Sequence, residues 1–159
     1  MTGRRPARLD EHTALIAASV DDVWPSLLEA VDRAFSRPGA GPYARLVGCA
    51  DPTSSGPRPL GEGSTIPGFR VSLALPGREL LLEGRHRFSS YALRFVLEPL
   101  GPASSRLRAE SLADFPGLSG RLYRGLILGT GAHVLAVRRL LAAVRRRSER
   151  QTAREALGG

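Results

Sequence analysis

A chain of 159 residues is long enough for one domain with a sizeable core and too short for two domains of ordinary size. Hydrophobic residues make up 42% and charged residues 24%, which excludes the disordered class, and the single cysteine, Cys49, excludes an internal disulfide. The formal net charge is +8, but all 23 basic residues are arginine, a bias typical of GC-rich coding sequences, so the charge alone does not indicate nucleic-acid binding.

The chain begins with a segment that we expect to be flexible, followed by a strand and a helix. Residues 1–8 contain three arginines and few apolar side chains. Residues 9–18 are typical of a strand, and Ser19, three residues before an aspartate, is typical of a helix cap. Apolar residues then recur at helical spacing to about residue 35. We therefore predict a helix that is bent at Pro25 or restarts at Ser26.

Residues 36–59 connect this helix to the rest of the chain. Proline and glycine predict a turn at 36–42, and residues 43–49 favour a short strand. We interpret Cys49 on this strand as a small buried side chain, because no neighbouring motif would activate its thiol. Three prolines among serines make residues 50–59 a loop.

Four strands follow, each with one apolar face. Apolar and polar residues alternate over 69–75, 80–88, 91–97 and 107–115, and consecutive strands of this kind are typical of an antiparallel meander. The residues expected on the inward faces include Phe69, Val71, Leu73, Leu75, Leu82, Gly84, His86, Tyr91, Leu93, Phe95, Leu97, Leu107, Ala109 and Ser111.

The last part of the chain has helical periodicity from residue 118 to about residue 150. Its apolar face includes Leu126, Gly129 and His133, and Arg124 and Arg139 lie opposite. We therefore predict a long helix with one face on the sheet.

Much of the positive charge lies at the end of this helix. Two interpretations remain open: a solvated helix end whose charges complement the helix dipole, or a basic tail that contacts an anionic lipid surface or nucleic acid. The case for nucleic acid is weak because the segment has no aromatic side chains to stack on bases. The arginines are Arg138, Arg139, Arg145, Arg146, Arg147, Arg150 and Arg154.

Two segments carry a resemblance to a known family. Residues 16–27 (IAASVDDVWPSL) are similar to the opening pattern of the START-like, or SRPBCC, superfamily, in which an apolar strand runs into a short helix start. Residues 82–88 and 91–95 resemble its central strands. This resemblance implies an α+β helix-grip fold over residues 9–147, with a curved antiparallel sheet wrapped around a long C-terminal α-helix and residues 148–159 as a basic tail.

The resemblance also implies an internal cavity, since members of the superfamily include lipid carriers, hormone-binding proteins and polyketide cyclases. We expect this chain to bind an apolar small molecule, such as a lipid, a polyketide or an aromatic compound, between the sheet and the C-terminal helix. Small inward residues would leave space for it. The candidate ligand-binding residues are Phe69, Val71, Leu82, Gly84, His86, Tyr91, Phe95, Ala109, Ser111, Leu126, Gly129 and His133.

Two histidines are candidates for chemistry in that cavity. His86 and His133 are either buried structural residues, or one of them is the acid/base group of a cyclase or dehydratase, since imidazole both donates and accepts protons near neutral pH. No acidic partner on the same wall is evident from the sequence. The chain lacks histidines and carboxylates at metal-ligand spacing, so we expect no metal and no cofactor. Without a signal peptide or a long apolar segment, we expect a cytoplasmic protein.

Overall fold

A computed structural model describes residues 7–87, 89–114 and 131–159, which form a six-stranded antiparallel sheet and three helices. The strands lie in the order β1-β6-β5-β4-β3-β2, so the first strand pairs with the last. This is the helix-grip architecture, a curved sheet around a long C-terminal helix. The strands are β1 (Ala7–Ile16), β2 (Thr65–Ile66), β3 (Phe69–Leu75), β4 (Glu79–His86), β5 (Ser89–Gly101) and β6 (Ser104–Asp114), and the helices are α1 (Val20–Phe35), α2 (Ala40–Leu46) and α3 (Ala132–Gly158).

Helix α1 begins at the predicted cap. The hydroxyl of Ser19 accepts a hydrogen bond from the backbone N–H of Asp22 at 3.2 Å and donates to the carboxylate of Asp22 at 2.7 Å. The expected restart at Ser26 is wrong, because the helix is continuous through Pro25. Pro25 removes only the donor to the carbonyl of Asp21, an exposed residue that water can reach. Ser26 is buried, and its hydroxyl donates to the carbonyl of Asp22 at 3.3 Å.

The short strand expected at residues 43–49 is also wrong, since helix α2 occupies most of this segment. The helix starts after Gly39, which has a φ of 90°, a conformation that glycine adopts without a steric penalty. Pro42 lies in the first turn, where its missing N–H has no helical partner to lose. Ala44 anchors α2 in the interior at 3% exposure, and its carbonyl accepts from the N–H of Cys49 at 2.8 Å.

Strand β3 departs from the predicted alternation in its second half. Its pairing with β4 shifts between Val71 and Leu73, so Ser72 is an extra residue and the faces exchange there. Val71 is buried as expected, but Leu75 is 40% exposed, and Ala74 packs against the core in its place. Such a bulge bends the strand and contributes to the curvature of the sheet.

Helix α3 lies on the inner face of the sheet. The structure describes it from Ala132, so the predicted helical segment 118–130, with Leu126 and Gly129, lies outside the described residues. The helix runs to Gly158 without a break, past the expected end near residue 150 and across the expected domain boundary at residue 148. Likewise β1 starts at Ala7, inside the segment expected to be flexible. No helix in the described part of the chain is both long enough and apolar enough to cross a membrane.

One half of the space between the sheet and the helices is a filled core. Each fully buried leucine or phenylalanine there stabilises the fold by roughly 1.5–3 kcal/mol relative to an exposed one. This core fixes α1 and α3 on the sheet, and the other half of the same space is the cavity described below. The core includes Val71, Leu80, Leu82, Phe95, Leu97, Leu107 and Ala109 from the sheet, Val23, Leu27 and Val31 from α1, and Leu141 and Val144 from α3.

The outer face of the sheet carries a chain of ion pairs across β4, β5 and β6. Arg94 bonds Glu79 at 2.7 Å and Glu110 at 3.2 Å. Arg108 forms ion pairs with Glu110 at 3.4 Å and with Glu98 at 3.2 Å. The hydrogen bond from Arg94 lowers the pKa of the Glu79 carboxyl. These pairs join three strands on the face away from α3.

Candidate ligand-binding cavity

A cavity of about 960 Å³ lies between the sheet, α1, α2 and α3. This volume is at the upper end of the range for small-molecule sites, about 300–1,000 Å³. Along β5 and β6 the interior changes from core to cavity, as Phe95 and Ala109 are closed off whereas Tyr91 and Ala113 line the open space. On α1, Ala30, Ala34 and Phe35 line it, and on α3, Ala136, Val137, Leu140 and Ala143 do so.

Three aromatic rings form one wall of the cavity. The ring of Phe69 packs edge-on against Phe35 and Tyr91, with centroid distances of 5.0 and 5.1 Å. The hydroxyl of Tyr91 donates to the carbonyl of Gly68 at 2.8 Å, which holds the ring in place. Gly84 lies opposite Tyr91 in the β4–β5 ladder, and a Cβ at this position would be 2.3 Å from the ring. Gly84 therefore makes room for the aromatic wall and does not itself line the cavity.

His86 lies on the same wall at the end of β4. Its ring centroid is 5.4 Å from that of Tyr91, and its Nε2 is 3.2 Å from the hydroxyl of Ser89. Burial lowers the pKa of His86, since it penalises the charged imidazolium. The side chain is therefore a neutral imidazole near neutral pH, able to donate at one nitrogen and accept at the other.

His133 lies on the first turn of α3 and lines the same cavity. Its Nε2 is 2.8 Å from the hydroxyl of Ser111, a buried residue of β6, and both residues line the cavity. The same nitrogen is 3.7 Å from a carboxylate oxygen of Asp10 on β1. A protonated His133 would thus have a negative charge close to it.

Asp10 and His12 are polar residues on the inner face of β1 that the sequence analysis did not single out. Nε2 of His12 is 3.7 Å from the Asp10 oxygen that faces His133. Both carboxylate oxygens of Asp10 and Nε2 of His12 are buried without a hydrogen-bond partner in the described part of the chain. The alternation of Asp10, His12, Ala14 and the buried Ile16 along β1 is the signal that could have placed them inward. Asp10 thus places a carboxylate near His133, although Asp10 is not among the described residues that line the cavity.

This cluster differs from known catalytic arrangements. Ser111 and Asp10 face the same nitrogen of His133, whereas in a Ser-His-Asp triad the carboxylate holds the other ring nitrogen. Among the described residues, no group of three or more His, Cys, Asp or Glu side chains is placed to hold a metal ion. What the cluster can do is hold or move a proton at Nε2 of His133, at the surface of the cavity.

The predicted ligand-binding residues fall into four groups. Lining the cavity are Phe69, His86, Tyr91, Ser111 and His133. Four others, Val71, Leu82, Phe95 and Ala109, lie instead in the closed core, at most 1% exposed, because α1 packs directly on that end of the sheet. Gly84 lies behind Tyr91, and Leu126 and Gly129 are outside the described residues.

Comparisons with known proteins identify the fold. No model of a protein family matches the sequence, and no curated protein matches it. Among solved structures, norcoclaurine synthase of Thalictrum flavum is similar over 92% of this chain and 98% of its own, with 15% identity and a TM-score of 0.54. The di-domain ARO/CYC StfQ of the steffimycin biosynthetic pathway is similar over 91% of this chain and 51% of its own, with 13% identity and a TM-score of 0.55.

A third solved structure, the protein CV1439 of Chromobacterium violaceum, is similar over 88% of this chain and 96% of its own. The identity is 11% and the TM-score 0.52. At such low identities the likeness concerns the fold alone, and the fold agrees with the helix-grip architecture that the sequence resemblance implied.

Proposed function

We propose that this protein binds an apolar small molecule in the cavity between the sheet and α3. The observation that carries the proposal is a space of about 960 Å³ whose walls are mostly apolar and aromatic side chains. A fold of this kind could have closed over a continuous core. The open space therefore needs an explanation, because unfilled apolar volume destabilises a protein through the loss of packing contacts. A ligand that fills the space would restore those contacts.

Polar groups at two points of the wall would orient the ligand. Ser111 and His133 form one point, and His86 forms the other. A ligand with a hydroxyl or carbonyl group at one end satisfies this pattern of an apolar body and few polar anchors.

A neutral apolar dye tests the proposal. N-phenyl-1-naphthylamine should bind with an increase in fluorescence, and the variant Ala136→Trp, which adds a large ring at the cavity wall on α3, should weaken its binding at least about tenfold. Ala153→Trp is the matched control, since Ala153 is exposed on the same helix and does not line the cavity. Absence of dye binding, or equal loss in both variants, would contradict the proposal.

A second candidate function, a cyclase or dehydratase, rests on the contact between Ser111 and His133. In such a reaction Nε2 of His133 would take a proton from a carbon next to a carbonyl group, and the proton would later pass to the departing hydroxyl to form water. Asp10 would act as a positioning residue that faces the protonated ring. The arrangement differs from a structural histidine in that Nε2 lies at the cavity and not in the core.

Proton abstraction can be measured without knowledge of the natural substrate. In D₂O the protein should accelerate deuterium exchange at the methylene group of 1-phenyl-2-propanone, followed by NMR. His133→Gln should abolish the acceleration, while His86→Gln reveals whether the second histidine contributes. Exchange at the same rate with the unaltered protein and with His133→Gln would refute the enzymatic candidate and leave the binding function untouched.

A further inference from the structure

The cavity is apolar inside, but arginines surround part of it. Six arginines line it, against a single carboxylate, that of Glu29, among the described lining residues. Two of them come from α1 and the turn after it, and four come from one face of α3. They are Arg33, Arg37, Arg139, Arg146, Arg147 and Arg150.

The one carboxylate is already occupied. Glu29 on α1 bonds Arg33 on its own helix and Arg147 on α3. The side chains of Arg37, Arg139, Arg146 and Arg150 are exposed, with no ion pair or hydrogen bond to the residues that the structure describes. Four positive charges therefore remain unneutralised at the wall of one apolar cavity.

Such an arrangement is matched to a particular class of ligand. Positive charges beside a low-dielectric cavity concentrate anions there, and guanidinium groups bind carboxylate, sulfonate and phosphate through paired hydrogen bonds. We infer that the ligand is an amphipathic anion, with its apolar body in the cavity and its acidic group among these arginines. The inference rests on the proposed binding function and specifies the chemistry of the ligand.

The placement of the arginines on α3 favours a ligand in the cavity over a flat anionic surface. Arg139, Arg146 and Arg150 face the cavity, whereas Arg138 and Arg145 lie on the opposite side of α3, beside β1. Arg145 is held there by Glu149 at 3.1 Å. The basic segment expected from the sequence is thus divided between two faces, and the cavity face holds its unpaired charges next to apolar residues.

Two dyes that differ by one anionic group test the inference. N-phenyl-1-naphthylamine is neutral, and 8-anilinonaphthalene-1-sulfonate has the same rings with a sulfonate added. The double variant Arg146→Gln/Arg150→Gln should weaken binding of the sulfonate dye about three- to tenfold and leave the neutral dye within about twofold, since each exposed charge pair contributes modestly. Added salt should weaken only the sulfonate dye.

The matched control is Arg138→Gln/Arg154→Gln, which removes the same charge from exposed positions of α3 that do not line the cavity. This control should leave both affinities unchanged. An equal loss of affinity for the sulfonate dye in the two double variants would show that the effect comes from net surface charge, and this would overturn the inference. Unchanged affinities in both double variants would also overturn it. If the neutral dye fails to bind the unaltered protein, the proposed function itself fails, whereas binding of both dyes with no effect of Arg146 and Arg150 overturns only the ligand class.

Discussion

Arginines in two regions of this protein have opposite electrostatic surroundings. On the outer face of the sheet, Arg94 and Arg108 each lie between two carboxylates. At the cavity, Arg139, Arg146 and Arg150 have no such partner in the described part of the chain. The comparison shows that the arginines have two separate roles. One set joins strands, and the other set is available to a ligand.

The largest expected effect comes from breaking the outer network at its centre. Arg94→Met should lower the free energy of unfolding by about 1–2 kcal/mol, because it leaves the partly buried carboxylate of Glu79 without its ion-pair partner, while the buried Glu110 keeps only Arg108. Chemical denaturation at neutral pH measures the loss. Arg85→Met is the control, as Arg85 is exposed on β4 and its side chain carries no ion pair to a described residue. A loss of equal size in both would contradict the structural role of Arg94.

The same ion pairs predict that the stability of the protein depends on pH in the acidic range. Because Arg94 lowers the pKa of Glu79 in the folded state, the unfolded chain binds more protons as the pH falls below the ordinary value near 4.5. The stabilisation is therefore present above that pH and is lost as the pH falls through the lowered value. The free energies of unfolding of the unaltered protein and Arg94→Met should converge as the pH falls through the range below 4.5. A gap that stays constant over this range would contradict the assignment.

A smaller pH effect is expected on the cavity side. Burial lowers the pKa of His86, so protonation favours the unfolded chain as the pH falls below the ordinary value near 6.5. Stability should decline from pH 7 toward pH 5, and His86→Gln should remove part of this decline while keeping a donor near Ser89. Thermal melts of both proteins at the two pH values measure the difference. Identical declines would show that His86 does not contribute.

The smallest effect on the free energy of unfolding is expected from the arginines at the cavity. Arg146→Gln/Arg150→Gln should change the free energy of unfolding by less than about 0.5 kcal/mol, because these exposed side chains make no contact that folding depends on. A slight gain in stability agrees with this expectation as well as no change does, because like charges on one helix face repel each other. A loss as large as that of Arg94→Met would show that the cavity arginines are structural after all.

Periodicity in the sequence predicted the regular elements and which of their faces point inward. The strands of the meander and the inward faces of His86 and His133 follow from periods of 2 and 3.6 residues, and the cap at Ser19 follows from the spacing of Ser19 and Asp22. It failed where one residue changes the register or the local conformation. The bulge at Ser72 exchanges the two faces of β3. Pro42 lies in the first turn of helix α2, in a segment whose sequence had resembled a strand.

The candidate site was predictable only in part, for a similar reason. Its two histidines lie on elements with a clear apolar face, whereas Asp10 lies on β1, whose own bulge at Leu9 interrupts the pattern. The division of the basic segment into two faces depends on how α3 is rotated against the sheet, and packing sets this rotation. Likewise Phe95 and Leu82 have the same pattern as Tyr91, and only the positions of α1 and α3 decide which end of the sheet stays open.

The close approach of Tyr91 to Gly84 also has a consequence for the evolution of this fold. A Cβ at position 84 would be 2.2 Å from the carbonyl oxygen of Gly68 and would overlap the ring of Tyr91, so neither neighbour leaves space for alanine. The two positions are therefore coupled. In divergent sequences of this lineage, a side chain at position 84 should appear only where position 91 has lost its ring and the backbone at position 68 has moved, so position 84 should be the last of the three to change.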